Sequence, residues 1–345
     1  MAEQSNLKRV LSLTDATMIN VGGILGSGIF MVPATVALYT LSSSLFFLVW
    51  IIGGIVSLFG ALSVAELGAA MPKAGGQYVF LNKSYGPLWG FLYGWTAVAV
   101  INTASIAAVA MAFSEYLGFF FVLGRFEIKV IAILSIIVLT IINIIDVKSG
   151  ARFQNLFTYT KIFAISIVIL LGLTLNGGSS NNFYPMIIDK SFFSLIGPLG
   201  LAMVAVLWTF DGWIFVTYVA GEVKDPGKNI PLSIILCMVI VLSIYLTLNF
   251  VLVYVLGFDK MIDSELVMSD AASVFLGGKG AAIITIIILI SLIGANNGFV
   301  LTGARINYAM SKDGLFFKQA STIHNKFKSP ANALLMPVSY THLRA

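Results

Sequence analysis

The chain has 345 residues, of which 59% are hydrophobic and only 10% charged. Soluble domains carry about 25% charged residues, so this composition excludes a soluble enzyme or binding module and points to a polytopic membrane protein. The net charge of +5 follows from basic membrane loops rather than from nucleic-acid binding, and no nucleic-acid partner is expected.

Apolar runs of about 20 residues place eight spans near 14–39, 44–70, 86–117, 128–146, 153–175, 194–221, 231–257 and 280–310. A ninth starts near Asn332 without developing. Residues 1–13 read as a cytoplasmic N-terminus and 14–337 as one transmembrane domain. The tail 338–345 breaks the apolar pattern and reads as a non-native end on a C-terminally truncated chain. With the N-terminus inside, twelve Lys and Arg residues fall in cytoplasmic segments against five outside. That satisfies the positive-inside rule and predicts a multi-pass protein of the cell membrane. No cleavable signal peptide is visible.

The first span carries NVGGILGSGIF from Asn20 to Phe30, with Gly22, Gly23, Gly26 and Gly28 crowded into its middle. Each glycine costs about 1 kcal/mol in a helix interior relative to alanine, so a break is expected here. An opened backbone at membrane depth is tolerated only where it is buried in protein or lines a polar cavity. The sixth span repeats the feature around Asp211-Gly212 in LWTFDGW. An intramembrane carboxylate is by default a functional feature, with structural pairing as the alternative. Two breaks five spans apart match an inverted repeat that binds its cargo at the breaks. Free N–H groups at a helix start suit a carboxylate, and free carbonyls at a helix end suit an ammonium. A zwitterion therefore fits, its carboxylate on Ser27 and Gly28 and its amino group on carbonyls near Ile24, Trp208 and Asp211. Close helix packing is the alternative reading of Gly22 and Gly23.

The two histidines, His324 and His342, have no ligand-spaced partners, and Cys237 is the only cysteine. Neither a metal site nor a disulfide is expected. There is no nucleophile–base arrangement, no phosphate loop and no TVGYG-type filter, which counts against an enzyme with a catalytic residue and against a channel.

Several motifs together carry a family resemblance: GSGIF in span one, AELGAAMPKAGGQYVFL after span two and ARFQNLFTYTK entering span five. To these add FDGW and GEVKDPGKNIPLSI in and after span six, and NNGFVLTGARINYAMSKDGLFF in span eight. The chain resembles amino acid–polyamine–organocation transporters, and within them the L-type amino-acid transporters and bacterial serine/threonine exchanger-like permeases. The resemblance implies an all-α, LeuT-type inverted-repeat fold with discontinuous helices one and six. It also implies alternating-access amino-acid transport, by sodium-independent exchange or with protons, without a cofactor. The lack of a charged side-chain pocket favours small neutral substrates, with a cationic one through Asp211 as the alternative. A non-transporting fragment of such a permease is the alternative.

By the same resemblance Gly26, Ser27, Gly28 and Gly212 belong to the substrate site, and Trp208 or Phe210 forms its lid, against ordinary core packing. Lys161 stands in for a sodium ion, bonding carbonyls near Gly22 or Gly23 and span-eight groups such as Ser291 or Asn296; snorkelling is the alternative. Asn102 and Asn296–Asn297 line the site or join helices. Arg305 reads as structural or snorkelling, and Glu66 and Glu222 as solvated or paired with nearby lysines. The loop around Gly124–Lys129 lacks the cysteine that links eukaryotic relatives to a heavy chain, so a stand-alone, monomeric transporter is expected.

Overall fold

The computed structural model describes residues 7–341 except Ser27, Asp146, Asn176, Ile188, Asp189, Lys190, Glu265, Asn325, Lys326 and Lys328. Among these residues the chain is helical, and its one β-bridge pairs Leu11 with Val223. Helix α1 (Leu13–Ile24) starts at a capping box in which Asp15 N–H donates to Ser12 Oγ and Ser12 N–H donates to the Asp15 carboxylate. It stops at the glycine-rich stretch, and α2 (Gly28–Thr40) continues at an angle of 47°. A first helix broken at its glycines is thus present, as the propensities require.

Next come α3 (Ser43–Ala70), the short α4 (Gln77–Tyr85) and α5 (Pro87–Thr96), which passes through a π-helical turn at Ala97–Asn102 into α6 (Thr103–Leu117). Helices α7 (Arg125–Ile145) and α8 (Val147–Thr174) follow. The sixth span is less regular than a helix with a central break. Helix α9 (Phe192–Thr209) gives way at Gly212, whose φ is +121°, to a single turn α10 (Phe215–Tyr218) and a 3-10 turn at Ala220–Glu222. The remaining helices are α11 (Pro226–Leu256), α12 (Phe258–Ile262), α13 (Val267–Leu276), α14 (Gly280–Lys312) and α15 (Ala331–Thr341).

Six segments among the described residues are long and apolar enough to cross a membrane, or seven if α1 and α2 form one bent span. Helix α9 is a shorter apolar helix, so the expected sixth span is met only together with the irregular stretch that follows it. Helix α15 runs through Thr341, beyond the boundary at 338 where the sequence pattern breaks, and residues 342–345 lie outside the described part.

Helix α1 sits centrally, packed on α8, α11 and α14, while α2 runs along α9. Small residues allow the close approaches. Any Cβ at Gly23 would lie 2.6 Å from the Phe215 ring, and any at Gly53 only 2.5 Å from Val206. Apolar side chains such as Ile51, Ile55, Phe59 and Phe163 face outward, which a lipid solvent accommodates.

Candidate functional site

The two helix breaks lie against each other. A Cβ on Gly212 would stand 3.0 Å from the Gly23 carbonyl carbon and 3.1 Å from the Ile24 nitrogen, so the backbones of the two breaks touch. The Asn20 side chain adds a second tie, its Oδ1 accepting the Val216 N–H at 2.8 Å across the same gap. In the first break Gly26 N–H turns back on Ile24 O at 2.7 Å. In the second, Asp211 Oδ1 accepts the Gly212 N–H at 2.9 Å, and the Asp211 side chain is exposed.

The carbonyl ends of α1 and α9 share one donor. Tyr245 of α11, fully buried, has its hydroxyl 3.2 Å from Ile24 O and 2.9 Å from Thr209 O. Its ring packs edge-on against Trp50 and tilted against Phe210. Of the two aromatics expected as a lid, Phe210 is buried in this cluster. Trp208 is 64% exposed, with its ring edge 3.3 Å from where a Cβ on Gly28 would lie. The Trp208 carbonyl accepts the Asp211 N–H at 3.2 Å. Gly28 opens α2 beside Thr209, and Ser27, expected to share its role, lies outside the described residues.

Helix α8 presents a polar stripe to α1. Gln154, Thr158 and Lys161 follow at intervals of four and three residues, share one helix face, and are all fully buried. Thr158 donates to Met18 O at 3.2 Å. The Lys161 ammonium donates to Gly22 O at 3.1 Å and Leu25 O at 2.9 Å, which are carbonyls of the last turn and cap of α1. Its stem crosses Gly294 of α14, where a Cβ would lie 2.9 Å from Cε. Gly22 accommodates the Gln154 amide and the Thr158 hydroxyl, which a Cβ there would approach to 2.2 and 2.3 Å.

The contact with span eight thus differs from the expected one. Ser291 Oγ and Asn296 Oδ1 are buried without a hydrogen-bond partner among the described residues, and Lys161 meets α14 at Gly294 instead. Asn297 joins helices: its Oδ1 accepts from Asn143 and its Nδ2 donates to Gln154 Oε1, each at 2.8 Å. Asn102 is placed against Gly303 in a small cavity with Ile106, Phe299 and Leu334, and none of these neighbours comes from either break.

Glu222 and Arg305, expected to act separately, form a pair. Glu222 pairs with buried Arg305 rather than with a lysine, its Oε1 2.8 Å from Nε and its Oε2 3.2 Å from Nη2. The Glu222 carbonyl meanwhile accepts the N–H groups of Val10 and Leu11 at 2.9 Å. On the same side, Tyr78 and Asn82 of α4 donate to the Asp313 carboxylate at 2.8 and 2.9 Å. Burial and the Asp313 carboxylate hold the Tyr78 phenol well above its ordinary value, so it remains a donor.

A first helix broken beside a second break, with the carbonyl ends of both at one buried hydroxyl, is the arrangement of a helical membrane transporter. The chain belongs to the amino acid permease family, whose model matches residues 11–341, within the amino acid–polyamine–organocation superfamily. It is 34% identical to the serine/threonine exchanger SteT of Bacillus subtilis over 98% of this chain and 76% of that protein. It is 32% identical to the human b(0,+)-type amino acid transporter 1, covering 96% of this chain and 68% of the relative. The human cystine/glutamate transporter is 33% identical, with 97% and 67% covered.

Proposed function

We propose that this protein is a secondary transporter of small neutral amino acids in the cell membrane, its N-terminus cytoplasmic, working by sodium-independent exchange. The paired carbonyl ends at Ile24 and Thr209, facing the start of α2 at Gly28, carry this reading. The substrate carboxylate goes to the free N–H groups at the start of α2, with Ser27 beside them. The amino group goes to the carbonyls of the α1 and α9 ends, where it competes with the Tyr245 hydroxyl. Trp208, exposed beside Gly28, covers the bound molecule in this reading.

The buried Lys161 ammonium supports independence from sodium. It places a hydrogen-bond donor on two carbonyls of the α1 end, where a transport cation would otherwise be needed to satisfy them. Resemblance to a serine/threonine exchanger favours small substrates, and the exposed Asp211 carboxylate makes a cationic side chain the competing class. Uptake of labelled serine, threonine and arginine into proteoliposomes, with and without internal amino acid, tests this. Serine or threonine uptake that needs internal amino acid and ignores sodium is expected. Uptake driven by a proton gradient alone replaces exchange with symport, and no uptake of any amino acid sinks the transport reading.

A further inference from the structure

The turn between α6 and α7 exposes an apolar cluster that the transport site does not use. Phe119, Phe121 and Phe126 are each more than half exposed, Val122 is fully exposed, and the Phe119 and Phe120 rings meet edge-on at 5.0 Å. Such a patch in water is unfavourable and marks a surface that contacts something else.

Three observations point to the bilayer itself. Helix α7 has 21 residues, and its first turns carry the exposed charges Arg125, Glu127 and Lys129. Those charges put this end of α7 in the headgroup layer rather than in the hydrocarbon core, and the preceding turn lies beside it. The backbone of the turn is closed on itself: Gly118 N–H donates to Glu115 O, Phe119 N–H to Tyr116 O, and Phe120 and Phe121 N–H to Leu117 O, at 3.0–3.2 Å. Backbone donors satisfied internally remove the main cost of placing a turn in a poorly hydrated layer. The flanking charges, finally, balance: exposed Arg125 and Lys129 stand with exposed Glu115 and Glu127. Attraction to an acidic surface is then not what holds the turn, whereas Phe and other apolar side chains seat at the headgroup–acyl boundary.

We propose that Phe119–Val122 is an interfacial anchor, seated in the headgroup layer of the leaflet at that end of α6 and α7. It fixes the depth of these two helices in the membrane.

Spin labels on Phe121→Cys and Val122→Cys in phosphatidylcholine bilayers test this, with Asp263→Cys in an exposed loop for comparison. The parent chain, whose single Cys237 is buried, is the labelling blank. Oxygen collisions severalfold more frequent than those of a water-soluble nickel chelate are expected at 121 and 122, with the reverse at 263. The result should hold when anionic lipid is added. Three outcomes overturn the proposal: chelate access at 121 and 122 equal to that at 263, exclusion of both probes as under a covering protein, or protection that needs anionic lipid.

Discussion

Arg305 of α14 and Glu222 at the end of the sixth span form a two-pronged ion pair with both side chains buried, at 2.8 and 3.2 Å. Removing one partner of a buried pair costs about 3–5 kcal/mol, because the other charge is left without compensation. Arg305→Gln and Glu222→Gln should each sharply lower the melting temperature of the solubilised protein. The double variant should be destabilised by clearly less than the sum of the two. Additive losses would mean that the two charges are not coupled.

Lys161 holds the end of α1 through two buried hydrogen bonds, each worth about 1 kcal/mol or more. Lys161→Ala should reduce amino-acid exchange in proteoliposomes by tenfold or more. Membrane insertion should survive, because the surrounding helices pack largely through other residues. Unchanged uptake would remove the lysine from the mechanism.

Tyr245 is separable from its packing. Tyr245→Phe keeps the ring against Trp50 and Phe210 and deletes only the hydroxyl shared by Ile24 O and Thr209 O. Loss of a net hydrogen bond of about 1 kcal/mol predicts a several-fold change in apparent substrate affinity. Tyr245→Leu, which also opens a cavity, should additionally lower the melting temperature. A kinetic profile of Tyr245→Phe identical to that of the parent would show that the hydroxyl does not set the carbonyl ends.

The fold was largely legible because glycine crowding, hydropathy and loop charge are local signals. The first break falls at Gly26 between α1 and α2, whereas Gly22 and Gly23 stay helical and serve close packing, the alternative reading of those two glycines. Its partner at Asp211-Gly212 is written in a carboxylate that is costly in lipid. The irregular course after Gly212 was not legible, since it continues an apolar stretch and its Val216 N–H is held by the distant Asn20. Tyr245 gave no signal either: it is one of twelve tyrosines, in an apolar run, and its role arises only where α11 crosses both breaks. Gln154, Thr158 and Lys161 did carry one, a polar stripe at helical spacing on an apolar span. Glu222 and Arg305, opposite charges at the margins of spans, were readable singly but not as a pair, because 83 residues separate them.

The most direct test of the substrate site is Gly28. It opens α2, where the first N–H groups of a helix have no intrahelical partners and favour an anion. A Cβ there would lie 3.2 Å from Thr209 Cγ2 and 3.3 Å from the Trp208 ring, so both neighbours must give. Gly28→Ala therefore presses on both neighbours by a few tenths of an ångström and should weaken binding. Gly28→Val adds two methyl groups in the same place, shields the N–H groups and displaces Trp208, so binding should be lost. The strain is local and Trp208 is exposed, so both variants should still insert and remain monodisperse in detergent. Ligand-induced thermal stabilisation by serine and threonine provides the readout. A graded loss from glycine to alanine to valine supports a carboxylate at the start of α2, whereas full stabilisation of the valine variant would place the substrate elsewhere.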